Sequence, residues 1–366
     1  MRAVHPAIFC DESQDFTRIE LEVILRLSLF SERKISREEV AFVPFVFAGD
    51  EFQTLNPTGF RWDTVTAFFV EKFVVGLAQQ PPKSAELNYQ ILTFNYRSSR
   101  SIVKFSNLVQ ALRARLFELT GLKPQIPWEH ELNSPPVTRF LRTNTDFWEK
   151  LRTETDIAII VPCGEGEEVD FIESDDVLRE KVRVVNGVPQ MLVLSANRAK
   201  GLEFPRVVVY GFGRNAPVGI LDPIRGKESY AGDPDRSLPY QYFITRLYVA
   251  VSRPKRRLFI VDSKENLVDF WPFAHDMTQM KAMVEKMKHG QDTWGSSVAL
   301  MEMGNANDLS LDRATDPLEN AKILERDGRA RRDAYMLEQA AVSFSNANQM
   351  LEAARCTAEA RACSAL

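Results

Sequence analysis

The sequence predicts an α/β protein, with parallel sheets flanked by helices and an α-helical C-terminal tail. Three features predict it. Short apolar runs alternate with stretches of helical spacing, polar or acidic motifs follow several of those runs, and from about residue 273 the composition shifts to Ala, Met, Glu and Arg with few β-branched residues. Apolar strands separated by helices belong to parallel sheets covered on both faces. Ligands of such sheets sit beyond the carboxyl ends of the strands.

The 366 residues leave room for two or three domains. Hydrophobic content of 45% and charged content of 26% suit a globular chain able to bury a core. The formal net charge of −4 gives no overall attraction to nucleic acid, so any such contact must come from local basic patches. Cys10, Cys163, Cys356 and Cys363 form no CxxC pair and there are only four histidines, which argues against a zinc site or a disulfide framework and for a cytoplasmic location. No apolar run reaches the ~18 to 20 residues needed to span a bilayer, so no membrane association is expected. The first apolar run ends at Asp11 and Glu12, which leaves no signal-peptide core. Meeting a strand and a charged motif so soon after Met1 suggests a missing upstream part.

In chain order, residues 7–10 read as a buried strand. Residues 17–30 carry Ile19, Val23, Ile24, Leu27 and Phe30 at helical spacing. Residues 43–48 form a second strand, with Pro44 near its start where a strand tolerates it. Residues 62–75 read as a helix, and the prolines and serine of 81–84 as a linker. A strand at 90–94, a helix at 99–119 and a proline-rich loop at 124–136 follow. Further buried strands are expected at 157–161, 191–194, 207–210 and 258–261, an irregular loop at 214–239, and helix over most of 322–362. This last part has the look of a tetratricopeptide-like hairpin, although one copy establishes no repeat. The domains expected are 1–85, 86–272 and a helical tail at 273–366.

Several motifs could carry chemistry. Asp11 and Glu12 end the first strand: one carboxylate can hold Mg²⁺ through water while the other orients or deprotonates an attacking water. The alternative is a solvated turn that starts a helix at Asp15 or Thr17. Gln53, in Gly49-Asp50-Glu51-Phe52-Gln53, can hydrogen-bond a terminal phosphate, or the segment is a plain turn built on Gly49. Arg97, in Asn95-Tyr96-Arg97-Ser98, offers a planar fork for phosphate oxygens, or a surface ion pair. The segment from Ala199 to Phe204 is by itself a connecting loop. Arg253 ends an apolar helix and is followed by Lys255, Arg256 and Arg257, a cationic C-terminus that the helix dipole favours.

Taken in order, DESQDF, GDEFQ, NYRSS, AKGLEF and YVAVSRPK resemble motifs two to six of the UvrD/Rep-type superfamily 1 helicases. The resemblance covers residues 8–260. It implies an incomplete RecA-like domain followed by a complete one, with ATP and Mg²⁺ between them. It implies Asp11 at the metal, Glu12 activating water and Gln53 sensing the γ-phosphate. Arg97 and Arg253 would be arginine fingers, Glu203 would contact the ribose side of the nucleotide or support that loop, and Gly201 would be the other cofactor-binding residue there. Single-stranded nucleic acid, with DNA the leading candidate, would meet Phe60 and Trp62 by stacking, although core packing accounts for Trp62 equally well. Ser195 stands where the family usually has a phosphate-touching threonine, and Asn197 where it usually has a histidine.

The pattern GxxxxGK[ST] is absent: the only Gly-Lys pair, Gly226-Lys227, is followed by Glu228. Without the backbone cradle and lysine of that loop, no useful ATPase activity is expected of the chain alone. Two explanations compete. The chain is the C-terminal portion of a longer helicase, its N-terminal half lying in the same or another chain, or it is a degenerate, non-hydrolysing binding module. A third reading makes the tail from Lys322 an adaptor for a protein partner.

Overall fold

The structure, a computed structural model, describes residues 7–27, 45–55, 62–69, 71, 90–119, 122–128, 134–227, 230, 233–285, 287, 293–312 and 318–365. The chain divides into two compact units, Met1–Leu92 and Thr93–Leu366.

In the first unit, strands β1 (Ile8–Cys10) and β2 (Phe45–Phe47) pair in parallel, Ile8 opposite Phe45 and Cys10 opposite Phe47. Helix α1 (Arg18–Arg26) is capped by Thr17. The Glu20 carboxylate accepts from the Thr17 amide at 2.7 Å, and the Thr17 hydroxyl accepts from the Glu20 amide at 3.3 Å. This reciprocal box satisfies two helix-end donors. It also settles where the helix starts: Thr17 caps it, leaving Asp11 and Glu12 at the strand end. The apolar face differs from the expected one, since Leu21 is buried while Ile19 and Val23 are 76% and 47% exposed. Helix α2 spans Trp62–Phe69. The expected linker at 81–84, Pro44 and Phe60 lie outside the described residues.

The second unit is built on a six-stranded, all-parallel sheet ordered β12-β5-β11-β10-β6-β9. In chain order come β3 (Phe94–Asn95), α3 (Arg100–Phe117), β4 (Ile126–Pro127), β5 (Thr138–Leu141), α4 (Thr145–Leu151) and β6 (Ile157–Val161). Helices α5 (Glu168–Ser174) and α6 (Asp176–Lys181) precede a hairpin of β7 (Val184–Val185) and β8 (Val188–Pro189). Then follow β9 (Val193–Ser195), α7 (Ala196–Ala199), β10 (Phe204–Tyr210), α8 (Pro234–Val251) and β11 (Pro254–Asp262). Four short helices, α9 (Lys264–Asp269), α10 (Pro272–His275), α11 (Met277–Glu285) and α12 (Thr293–Ser297), lead to edge strand β12 (Glu302–Met303).

Period-two alternation sorts the central strands onto two faces. Ile157, Ile159, Val161, Val208, Tyr210, Phe259 and Val261 share one core with Phe147, Trp148 and Leu151 of α4 and Ile172 and Leu178 of α5 and α6. The alternate residues, among them Ile160, Val207, Val209, Leu258 and Ile260, are equally buried. They point to the other face, where α3 and α8 pack on each other and on β11 and β10. Both faces are therefore covered, as a parallel sheet requires.

Beyond these elements lies the tail: α13 (Glu319–Arg331), α14 (Ala334–Asn346) and α15 (Met350–Ser364), three consecutive helices packed in sequence. They belong to the second unit.

The structure departs from the sequence reading in three places. Residues 90–93 are irregular, and the strand there is only Phe94–Asn95, paired with β4 outside the main sheet. The loop expected at 214–239 ends early, because α8 starts at Pro234 with Asp233 as its cap. A proline at the first helical position costs no hydrogen bond, but Pro239 lies inside the helix and removes one donor. Strand β5 was hidden among prolines 135 and 136.

The centre of the sheet also holds buried charge, most completely at Arg206. Arg206, fully buried in β10, sets its Nε 3.1 Å from Asp156 and its Nη2 2.7 Å from Glu154, and also donates to the Leu309 carbonyl. The partners stand at the start of the neighbouring strand, since Arg206 registers with Ile157. Removing one member of a buried ion group strands its partners without water. Arg206→Met should therefore lower unfolding free energy by about 3–5 kcal/mol, and urea denaturation measures this. A loss below about 1 kcal/mol, the range of exposed pairs, would show that the group is solvated.

Thiol reactivity gives a second check. Cys10, Cys163 and Cys356 are buried, and Cys363 is half-buried. Burial, reinforced by Glu168 and Glu167, pushes the Cys163 thiol up to about 12, and burial with Glu325 and Glu359 pushes Cys356 up to about 11. Only thiolates attack disulfide reagents. At about pH 8, native protein should titrate first at Cys363, with Cys163 and Cys356 reacting only after unfolding.

Candidate functional site

The first unit assembles its two motifs into one hydrogen-bonded group. The parallel pairing of β1 and β2 sets the loops after them side by side: the Ser13 amide donates to the Ala48 carbonyl at 2.8 Å, and the Ala48 amide to Cys10 at 2.8 Å. Gln14, fully buried, joins the loops. Its Nε2 donates to the Glu12 carboxylate, and its Oε1 accepts from the Asp50 amide at 3.1 Å. Asp50 in turn accepts from the Phe52 amide at 2.9 Å and from Gln53 Nε2 at 3.0 Å. Glu12, Gln14, Asp50 and Gln53 thus form a single relay.

Two backbone features serve this arrangement. Glu12 adopts a left-handed conformation with φ of 49°, unusual for a residue with a side chain, and its amide donates to Asp11 Oδ1 at 2.9 Å. Gly49 is needed because a Cβ there would lie 2.2 Å from Gln14 Oε1 and 3.1 Å from the Ser13 amide. Asp11 and Glu12 themselves are exposed. Trp62, half-buried, stands at the first position of α2.

In the second unit, three segments far apart in the chain converge at the N-terminal ends of β10 and β11, the opposite end from the carboxyl ends where the sequence reading expects a ligand. Asn95 shapes the first turn: its Oδ1 accepts from the amides of Arg97 and Ser98, each at 3.0 Å. The Ser98 hydroxyl donates to the Pro254 carbonyl at 2.7 Å, and the Ser99 amide to Lys255 at 2.8 Å. These bonds fix the start of α3 to the start of β11. The Phe204 amide donates to the Arg253 carbonyl at 3.1 Å, which joins the 200–204 loop to the same place. Gly201 turns that loop with φ of 78°, a value glycine adopts freely.

The side chains meet on Glu203. The Arg97 guanidinium donates to its Oε1, and Lys255 Nζ lies 3.7 Å from its Oε2. Arg97 and Glu203 are each about one-third exposed, at 35% and 37%. Arg253 is placed differently, with only 1% of its surface exposed. Its Nε donates to the Val249 carbonyl at 3.1 Å, its Nη1 to Leu202 at 3.3 Å and its Nη2 to the Ser252 hydroxyl at 3.0 Å. Arg253 thus ties the end of α8 to the loop carrying Glu203.

Ser195 and Asn197 belong to the preceding turn. Ser195 is fully buried and caps α7, its hydroxyl accepting from the Arg198 amide at 3.3 Å. Asn197 is half-buried, and its Oδ1 has no hydrogen-bond partner. The tail covers this neighbourhood: Asp333 sits 3.1 Å from Arg198, Arg331 donates to the Lys200 carbonyl at 2.7 Å, and Tyr335 donates to Val193 at 2.7 Å.

The residues missed in sequence lie beside those named. Phe94, Tyr96 and Trp128 form an aromatic group, with Tyr96 and Trp128 centroids 4.7 Å apart and Phe94 edge-on to Trp128 at 5.6 Å. Tyr96 and Trp128 remain 66% and 50% exposed, which is costly for aromatic surface unless something covers it. Tyr96 stood inside a quoted motif. Trp128 carried no signal, because only the β3–β4 pairing brings it near. Lys255 stood at the end of the quoted motif YVAVSRPK and in a basic run, with no signal that it would meet Glu203.

Among the described residues no group of three or more His, Cys, Asp or Glu could hold a metal ion, and no helix is long and apolar enough to cross a membrane. In comparisons with known proteins, no family model and no curated protein matches the chain.

The relay around Gln14 predicts a specific defect. Gly49→Ala should destabilise the protein by roughly 1–3 kcal/mol through overpacking. Adding Gln14→Ala should return part of that loss by opening the space. Thermal melts of the two variants decide: an unchanged Gly49→Ala melt would mean the loops do not pack in this way.

Proposed function

We propose that the chain is part of an ATP-dependent motor on single-stranded nucleic acid, of the UvrD/Rep helicase type, with each unit a RecA-like domain and the first one incomplete. The observation that carries this reading is the convergence of residues 94–99, 200–204 and 252–256 on one ion cluster. Chance resemblance of short motifs gives no reason for Arg97, Glu203 and Lys255 to touch. The relay that joins Glu12 to Gln53 supports the reading in the same way from the first unit.

The donor set suits a hard divalent cation that arrives with its nucleotide. Magnesium is commonly held by one or two carboxylates together with substrate phosphates, so a lone Asp11–Glu12 pair fits where a three-carboxylate cage would not be needed. Asp11 would hold the ion, which supplies charge neutralisation at the phosphates. Glu12, kept in place by Gln14, would orient or deprotonate the attacking water. Gln53, steadied through Asp50, would report the state of the terminal phosphate. Arg97 presents its guanidinium at the surface and would meet negative charge developing on the phosphoryl group. The neighbouring Tyr96 and Trp128 offer flat apolar faces to a base.

A second reading, a non-hydrolysing binding module, is favoured by Arg253. A guanidinium engaged with the Val249 and Leu202 carbonyls supports the fold in this conformation. On either reading the sequence lacks GxxxxGK[ST], so the chain alone should not turn over ATP.

The test is a fusion that supplies a segment bearing that loop. DNA-stimulated ATPase activity should appear, and Arg97→Ala should lower kcat by roughly 10³-fold or more. Nucleic-acid binding without turnover would favour the binding module, and undiminished turnover in Arg97→Ala would refute the role given to that residue. Arg97→Ala is preferred to Arg253→Ala, because removing the buried guanidinium would also disturb the fold.

A further inference from the structure

We infer that Lys255 is a second phosphate-binding cation of this site, held at rest by Glu319 from the first tail helix. The inference rests on the proposed reading of the Arg97 cluster and gives Lys255 a role, and Glu319 a control over it, that the reading does not assign.

The geometry is that of a shared and balanced charge group. Lys255 Nζ lies 3.3 Å from the Glu319 carboxylate and 3.7 Å from Glu203, which Arg97 also holds. Two cations thus face two carboxylates, one from the 200–204 loop and one from the tail. The Lys255 backbone is fixed by the Ser99 amide at 2.8 Å, so the side chain starts from a defined place. The Lys255 side chain is 34% exposed. An ammonium on a flexible stem is a point charge that can leave one carboxylate for another anion.

A polyphosphate carries several negative charges over a few ångströms. It can therefore engage both cations at once, where Glu203 now bridges them. Exposed ion pairs are individually weak, so exchanging Glu319 for a phosphate oxygen costs little. Glu319 is not placed by accident of a mobile end. It opens α13, whose other end is anchored where Arg331 donates to the Lys200 carbonyl at 2.7 Å. A Cβ on Gly201 would come 3.2 Å from that same Arg331. Helix α13 therefore meets Lys255 at its first turn and the 200–204 loop at its last residue. The tail sets the resting charge of the cluster.

The probe is inorganic tripolyphosphate, titrated into the full chain by calorimetry at low salt. Wild type should bind; Arg97→Gln and Lys255→Gln should each weaken binding about five- to tenfold, as loss of one partly screened charged contact does. Lys255→Arg should retain most of it, and Glu319→Gln should tighten it about two- to fivefold. Matching thermal melts and circular dichroism establish that each variant is folded. If Arg97→Gln weakens binding and Lys255→Gln does not, the inference fails while the reading of the Arg97 cluster stands. If neither variant differs from wild type, or wild type does not bind, both fail. Unchanged affinity in Glu319→Gln with a weakened Lys255→Gln would overturn the role of the tail.

Discussion

The second unit's site depends on one buried guanidinium. Arg253 leaves water almost completely, at a cost of several kcal/mol for an ion without compensating partners, and recovers it through donors to Val249, Leu202 and Ser252. Those partners belong to the end of α8 and to the loop before β10. With its own carbonyl accepting from Phe204, the residue fixes two of the three converging segments. Ser98 and Ser99 attach the third. Arg97, Glu203 and Lys255 can form a cluster only because the backbone under each is already held. A planar fork with several donors suits this work better than a lysine would.

Gln14 has the corresponding place in the first unit, with a neutral group in place of a charge. An amide offers both a donor and an acceptor, so one side chain serves the Glu12 carboxylate and the Asp50 amide together. The requirement for glycine at 49 follows, since the amide fills the volume that a Cβ would need. Both places thus use a buried polar side chain as a joint between loops, while Asp11, Glu12 and Arg97 remain exposed. Buried polar groups of this kind tolerate little change, because each lost partner leaves another unsatisfied.

How much of this was legible follows from the range of each interaction. Strands β6, β10 and β11 were readable because continuous apolar runs have a local cause, burial on both faces; β1 lies where its apolar run put it but is not the buried strand expected, since Phe9 is 75% exposed. The helix at 99–119 was readable as well, and the helical tail was readable from its composition. The extent of α8 was not, because Pro234 and Pro239 look like loop residues until Asp233 caps the helix. Strand β5 was masked by neighbouring prolines, and the exposure of Ile19 and Val23 has no local signature at all. In the site, the identities of Asp11, Glu12, Gln53, Arg97 and Glu203 could be named from motif order. What Ser195 and Arg253 do in the fold could not, because burial is decided by segments distant in sequence. Trp128 and Glu319 were out of reach, since each acquires its neighbours through pairings across the fold.

The tail raises a final physical point. Strand β9 is an edge of the sheet, and an open edge presents unpaired backbone groups that invite aggregation. Helix α14 covers it: Tyr335 donates to the Val193 carbonyl and Gln339 to Pro189. Edge protection alone would be satisfied by that helix. The tail nevertheless reaches further, through Asp333 to Arg198, Arg331 to Lys200 and Glu319 to Lys255. Each of these extra contacts meets the loop or the basic run that carries the site, and none adds to the closure of the edge. A tail whose α14 seals the sheet and whose α13 touches the ion cluster links the two, so any partner that shifts α13 must also alter the ion pairing of Lys255.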